Sequence, residues 1–360
     1  MIRVLIIDDS SFYRQFLRKC LEAMPEVEVA GYAVDGQDAL EQIETLKPDV
    51  VTLDLNMPRM NGLQTLAALS EKKSKVQAIV VAAEVPSDVE ETLRVLDKGA
   101  FDFVVKPNSS EKEPFQTLRA QLYTRIIAAS KVVKKTVPFQ PKPAQPVRPS
   151  RPIVTGRKST PDLVAIGAST GGPVALRKVL SELPANYPCP ILVIQHMPKL
   201  FLVSLAARLD RETSLRYYIA EDGMLLQPGC VYVAPGGLHM DIVKQEGVLM
   251  IKLHASAEEH FCRPAVDVTL RSLSALAPAV NTLVVILTGM GRDGAMEAMN
   301  LAGKGAWVIA QDEASSVVWG MPGETVRLGA AHEVLPIEDI SKSILDAVSL
   351  HAKMPREAKV

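Results

Sequence analysis

The sequence predicts two α/β domains in series, each a mostly parallel sheet with helices on its faces. Three observations predict it. Short Val- and Ile-rich runs alternate with amphipathic stretches twice along the chain, the rhythm of a parallel sheet crossed by helices. A proline-rich basic segment separates the two series. The chain of 360 residues has room for two domains at about 150 residues each.

In the first series RVLIIDD, VEVAGYA, DVVTLDL, AIVVAA and FDFVVKP read as strands. The amphipathic stretches Ser11–Met24, Gln37–Leu46, Gly62–Glu71, Pro86–Lys98 and Glu113–Ala129 read as the helices between and after them. In the second series LVAIGAS, ILVIQH, LVVILTGM and AWVIAQDE are buried strands. Pro173–Leu183, Leu200–Leu209, Pro264–Leu276, Asp293–Leu301 and Ile337–Leu350 are helical. Across Cys230–Leu253 the period changes, and two glycine-bearing turns between short strands predict antiparallel hairpins inserted in the parallel sheet.

Between the series, Thr136 to Pro161 holds seven prolines. No acidic residue occurs between Glu113 and Asp162, against ten Lys or Arg. Proline at that density neither donates to a ladder nor packs, so the segment is a stiff basic tether. The expected organisation is a first domain at 1–130, a linker at 131–160, a second domain at 161–350 and a tail at 351–360.

Composition narrows the function. With 48% hydrophobic and 22% charged residues the chain is an ordinary globular one, which excludes disorder and fibrous rods. Lys+Arg of 40 against Asp+Glu of 41 leaves no electrostatic case for nucleic acid. Apolar runs such as Ala78–Ala83 are far too short to span a bilayer, and no secretory signal precedes Asp8 and Asp9. The four cysteines form no C-x-x-C pair, so neither a disulfide framework nor a zinc site is expected, and a reducing cytoplasm fits. A monomer is expected.

Two constellations carry chemistry. In the first, Asp8 and Asp9 close the first strand, Asp54 the third and Lys106 the fifth. Ligands of open parallel sheets bind beyond the carboxyl ends of strands. Three carboxylates there suit a hard divalent ion such as Mg2+, and a lysine beside them suits a phosphoryl group. One such acid is usually a solvated turn; the four residues together are not.

In the second, Gly167-Ala168-Ser169-Thr170-Gly171-Gly172 follows a strand and opens a helix. It fits the G-x-S-x-G turn that lifts a serine above a sheet edge, with the Thr170 amide as an oxyanion donor. A glycine-rich turn of this kind equally cradles a dinucleotide phosphate. His196 ends the next strand, where it can take the serine proton. That also counts against a dinucleotide, which wants an acid there. Asp293, in a glycine-rich turn after a later strand, can orient the imidazole, or else only N-cap the helix that follows it; Asp241, Asp267 and Asp312 are weaker candidates. The remaining histidines, His239, His254, His260, His332 and His351, read as core or surface residues. The Ser, His, Asp order differs from that of α/β-hydrolases.

Residues 1–130 resemble a response-regulator receiver domain, on Asp8, Asp9, Asp54, Asn56-Met57-Pro58, Gly62 and Lys106-Pro107. The resemblance implies a flavodoxin-like (βα)5 fold and phosphorylation of Asp54 by a sensor histidine kinase. It also implies Mg2+ held by Asp9, Asp54 and the Asn56 carbonyl within the acidic pocket that Asp8 shares. Phe103 falls at the family's switch-aromatic position. Ala82 stands where the family usually has Ser or Thr, which loosens the expected coupling to Phe103.

The whole chain resembles the chemotaxis protein-glutamate methylesterases, on GASTGGP, QHMP, VYVAPGGLHM, RPAVDVTLRS, LTGMGRDG, AQDE and WGMP in that order. The resemblance implies Ser169 as nucleophile, His196 as base, Asp293 as its partner and the Met290 amide as a second oxyanion donor. It implies chemoreceptors as substrates, whose glutamyl γ-methyl esters are hydrolysed and some of whose glutamines are deamidated, with no cofactor for hydrolysis. Leu202 and Ala265 depart from the usual Thr and Ser of the family. A non-catalytic signalling module and a nicotinamide-dependent oxidoreductase are the competing readings.

Overall fold

A computed structural model of the chain describes residues 1–83, 85–107, 113–135 and 160–349. It divides into two units, Met1–Ala144 and Gln145–Val360. Most of the linker expected at 131–160, and the tail at 351–360, lie outside the described residues.

In the first unit β1 (Ile2–Ile7), β2 (Val27–Ala33), β3 (Val50–Asp54), β4 (Gln77–Ala82) and β5 (Asp102–Val105) form one parallel sheet in the order β2-β1-β3-β4-β5. The helices α1 (Ser11–Glu22), α2 (Gly36–Leu46), α3 (Gly62–Glu71), α4 (Pro86–Asp97) and α5 (Pro114–Lys135) complete it. The central strands are rich in Val, Ile and Leu because both their faces are covered, as in β3, every residue of which is buried. Local signals set the helix starts. Asp35 accepts from the Gln37 and Asp38 amides at the head of α2, and Asn61 with Gln64 makes a capping box for α3. The α5 helix runs to Lys135, so 131–135 are helical rather than linker.

The second unit has a seven-stranded sheet in the order β14-β13-β12-β6-β7-β9-β8, every pairing parallel. Its strands are β6 (Leu163–Ala168), β7 (Ile191–Gln195), β8 (Arg216–Ile219), β9 (Cys230–Val233), β12 (Thr282–Ile286), β13 (Trp307–Gln311) and β14 (Glu333–Leu335). The helices are α6 (Gly172–Leu180), α7 (Lys199–Glu212), α8 (Val266–Leu276), α9 (Ala295–Gly303), α10 (Met321–Arg327) and α11 (Ile337–Ser349). Among the described residues the antiparallel strand pair is the hairpin of β10 (His239–Gln245) and β11 (Val248–His254).

That corrects one expectation. The first glycine turn of the Cys230–Leu253 segment does not close a hairpin. β9 instead joins the parallel sheet between β7 and β8, with all four residues buried, and the chain then leaves the sheet to form β10. The core gathers Leu163, Ala165, Val284, Ile286 and Val308 from the sheet with Val266, Leu270 and Leu273 of α8. No helix of the described residues is long and apolar enough to cross a membrane.

Candidate active site

Strand order reverses in each sheet at the point from which the chain starts, and both candidate sites lie at such a point. In the first unit β1 lies between β2 and β3, and Asp8 follows β1 while Asp54 ends β3. One carboxylate oxygen each from Asp8, Asp9 and Asp54 lies within 4.8 Å of the others. Lys106 Nζ stands 2.9 Å from Asp54 Oδ1 and 3.1 Å from Asp8 Oδ2, over the Tyr13 ring. Burial pushes the Asp54 carboxyl up to about 6, against the pull of Lys106 and with the Asp8 charge adding to it.

This donor set fits a hard divalent ion. It is all oxygen, and among the described residues the buried Asp8 Oδ2 has the Lys106 ammonium as its one neighbour of opposite charge. The Asn56 side chain donates to Asp88 Oδ1 at 3.0 Å, which leaves its main-chain carbonyl for a ligand. Ala82 is buried at the end of β4, and its carbonyl receives the Lys106 amide at 2.7 Å. It brings no hydroxyl to the pocket. Phe103 is buried on β5, paired with Val80 of β4.

In the second unit β6 lies between β12 and β7, and the loops after these three neighbouring strands carry Asp293, Ser169 and His196. The turn after β6 is held by backbone bonds: the Ser169 amide donates to Thr288 O at 3.1 Å and the Gly172 amide to Ser169 O at 2.8 Å. Gly171 has φ 78°, and a Cβ there would also meet Val317 at 2.7 Å. Gly289 allows a closer approach still, since a Cβ on it would sit 2.9 Å from Ser169 Cβ and 2.3 Å from Met321 Sδ. The His196 amide donates to Ala168 O at 3.1 Å, which sets His196 beside the serine turn. Gln195 Nε2 clamps the two together, donating to Ser169 O at 3.0 Å and His196 O at 3.1 Å.

His196 Nε2 lies 2.7 Å from Asp293 Oδ2. The same carboxylate caps α8: Oδ2 accepts from the Val266 amide at 2.7 Å and Oδ1 from the Asp267 amide at 2.8 Å. The sequence offered imidazole orientation or a cap of the following helix as alternatives; Asp293 bonds His196 and does not cap α9, whose N-cap is Gly294 with no side-chain bond, but caps the earlier helix α8 instead. Ala265, the N-cap of α8, makes no side-chain cap, and Asp293 supplies one instead. Burial works to raise the Asp293 pKa, but His196 and these amides outweigh it and hold it below the usual carboxylate range. Burial likewise works to lower the His196 pKa. The hydrogen bonds to Asp293 and to the Cys262 thiol, with the neighbouring negative charge, raise it to about 10.

The Ser169 hydroxyl hydrogen-bonds to none of the described residues, His196 included. Thr170 is buried, and its carbonyl receives Thr288 Oγ1 at 2.9 Å. The Met290 amide has no acceptor among the described residues. Asp241 pairs with His254, Asp267 with His260 and Asp312 with Ser315, so none of these acids reaches His196. His239 is fully buried between Ala257 O and the Ala265 amide, and His332 stacks on Trp307; His351 lies outside the described residues. Two residues at the site carried no sequence signal. Cys262 touches His196, and His260 Nε2, bonded to Asp267 Oδ2 at 2.8 Å, stands 3.9 Å from Asp293 Oδ1.

A family model described as CheB methylesterase matches residues 164–344, and the response regulator receiver domain model matches 4–113. The protein-glutamate methylesterase/protein-glutamine glutaminase of Thermotoga maritima is 38% identical over 97% of this chain and 99% of its own length. This chain belongs to the CheB methylesterase family. The protein of the same description from Bacillus subtilis is 39% identical, with 97% of this chain and 99% of that one covered. The crystal structure of the Thermotoga maritima CheB methylesterase catalytic domain matches with TM-score 0.50 and 42% identity, over 52% of this chain and 98% of that one. The CheB family is one of two-domain methylesterases, which sets aside both the dinucleotide-dependent oxidoreductase and the non-catalytic module.

Proposed function

We propose that this chain is a phosphorylation-regulated serine esterase that hydrolyses glutamyl γ-methyl esters on chemoreceptors and deamidates receptor glutamines. It works as a monomer in the cytoplasm. The observation that carries the reading is the pair of His196 with the buried Asp293, held beside the Ser169 turn. Ser169 Oγ attacks the ester carbonyl as His196 takes its proton. The Thr170 and Met290 amides receive the oxyanion. His196 returns the proton to the leaving methoxide, and methanol departs; for a glutamine side chain ammonia departs. Water, deprotonated by the same imidazole, then cleaves the acyl-serine to glutamate. Each step uses protein groups and water.

In the receiver unit Asp54 accepts phosphoryl from a sensor histidine kinase. Asp8, Asp9, Asp54 and the Asn56 carbonyl would hold Mg2+, which neutralises charge on the incoming phosphoryl group. Lys106 pairs with that group once it is on Asp54, and the buried Phe103 is the side chain whose setting answers to it.

The test is methanol release from methylated receptor membranes by the full chain. Wild type should release methanol and label with a fluorophosphonate at Ser169. Ser169→Ala should lose both, with turnover down by about 10³-fold or more. Near wild-type turnover in Ser169→Ala would remove the assignment.

A further inference from the structure

Residues 259–262 form a β-turn with His260 and Phe261 at its centre. The Glu259 amide donates to Cys262 O at 3.2 Å and the Cys262 amide to Glu259 O at 2.9 Å. Both central residues are left-handed, His260 with φ 54° and Phe261 with φ 60°, although neither is the Gly, Asn or Asp that such a turn favours. Three of its four residues are tied down. Glu259 receives Arg271 through both oxygens, at 3.0 and 2.5 Å. His260 bonds Asp267 at 2.8 Å, and Cys262 bonds His196. The fourth, Phe261, is 97% exposed, the highest value among the large hydrophobic side chains described.

An isolated exposed apolar residue needs no explanation. Phe261 differs in its support and its place. A rigid turn spends an unfavourable backbone conformation to present it, and the residue after it touches the imidazole of the site. It also has apolar company on the same edge. Leu200 follows β7 and His196, Met296 follows Asp293, and Val317 packs over Gly171, all three more than a third exposed.

We propose that Phe261 is a specificity residue for the protein substrate: its ring docks on apolar surface beside the esterified glutamate and sets the ester over Ser169. The inference rests on the methylesterase reading. An ester displayed on a protein cannot be swallowed whole by a pocket, so surface beyond the reacting group must hold it in place. A phenyl ring moving from almost full exposure into an interface carries enough binding energy for about a tenfold change or more in KM.

The experiment compares wild type with Phe261→Asn and Phe261→Trp. Asparagine suits the left-handed backbone better than phenylalanine does, so the turn persists while the ring is lost. Phe261→Asn should raise KM on methylated receptor membranes about tenfold or more, with kcat little changed and Ser169 labelled by a fluorophosphonate at the wild-type rate. Phe261→Trp should keep the wild-type KM. An unchanged KM in Phe261→Asn overturns the proposal. So does an equal loss of fluorophosphonate labelling, which would make Phe261 a support of the active-site loop instead. A wild-type chain that labels at Ser169 yet releases no methanol would strike the methylesterase reading itself.

Discussion

At Asp293 one carboxylate meets two backbone amides and an imidazole, and the charge this fixes governs how the site answers to pH. In the mechanism we propose, the serine proton is taken by neutral His196. Because the His196 pKa is raised to about 10, that form is scarce near neutrality and grows as pH climbs. The rate constant kcat/KM for methanol release should therefore increase with pH above 7, levelling only when the imidazolium is gone. Asp293→Asn removes the charge that holds the proton on. Its pH–rate profile should have the rising limb displaced to lower pH and a maximum about a hundredfold or more below wild type. A limb left in place by the substitution would mean that the Asp293 charge does not set the His196 pKa. Ser169, His196 and Asp293 were legible in the sequence because each closes a strand in a glycine- or proline-bounded turn. Cys262 and His260 were not, because a tight turn of ordinary residues folds them back onto the site, and no spacing announces that.

The α8 helix shows how an element is held from outside itself. Its first turn is fixed by Asp293 and by His239 of β10, whose Nδ1 accepts the Ala265 amide at 3.2 Å while Nε2 donates to Ala257 O at 3.0 Å. His239→Leu keeps the volume but leaves both backbone groups without a partner. Thermal unfolding of the variant should report a loss of about 1–3 kcal/mol, the cost of orphaning the buried Ala265 amide, since Ala257 is exposed and its carbonyl can turn to water. A loss under 0.5 kcal/mol, the size of an ordinary surface change, would show that water replaces the imidazole. In the receiver, β4 ends at Ala82 without a hydroxyl for the phosphoryl group. A charge-assisted hydrogen bond of that kind is worth about 1.5–3 kcal/mol. Ala82→Thr should then enlarge the ratio of esterase activity with and without a small phosphodonor, leaving the basal rate alone; an unaltered ratio would mean that another group supplies the bond. The long, regular elements were readable and the edges were not. Strand β14 has three residues, β8 alternates exposed and buried at the sheet margin, and α10 hides behind the proline and glycine of MPGETVR. β9 misled because Pro235-Gly236-Gly237 reads as a hairpin turn, whereas its four buried residues mark a strand covered on both faces.

The described residues build two parallel sheets that share no strand, one in each unit, with the β10–β11 hairpin apart from both. A fragment beginning near Arg157 should therefore fold alone and label at Ser169, with one thermal transition matching one of two in the full chain. We expect the resting receiver to restrain the esterase, so the fragment's methanol release should exceed that of the unphosphorylated full chain. Equal or lower release from a folded fragment would leave the receiver a purely activating role. The double duty of Asp293 also bears on how a 39.1 kDa chain can be watched at work. The Val266 and Asp267 amides point at the carboxylate that His196 shares, so any change of charge on the imidazole must shift their magnetic environment. Two backbone resonances, assigned once in isotope-labelled protein, would then act as an internal electrode. They would register each protonation, acylation or substrate arrival at Ser169 without a chromogenic substrate or an attached dye.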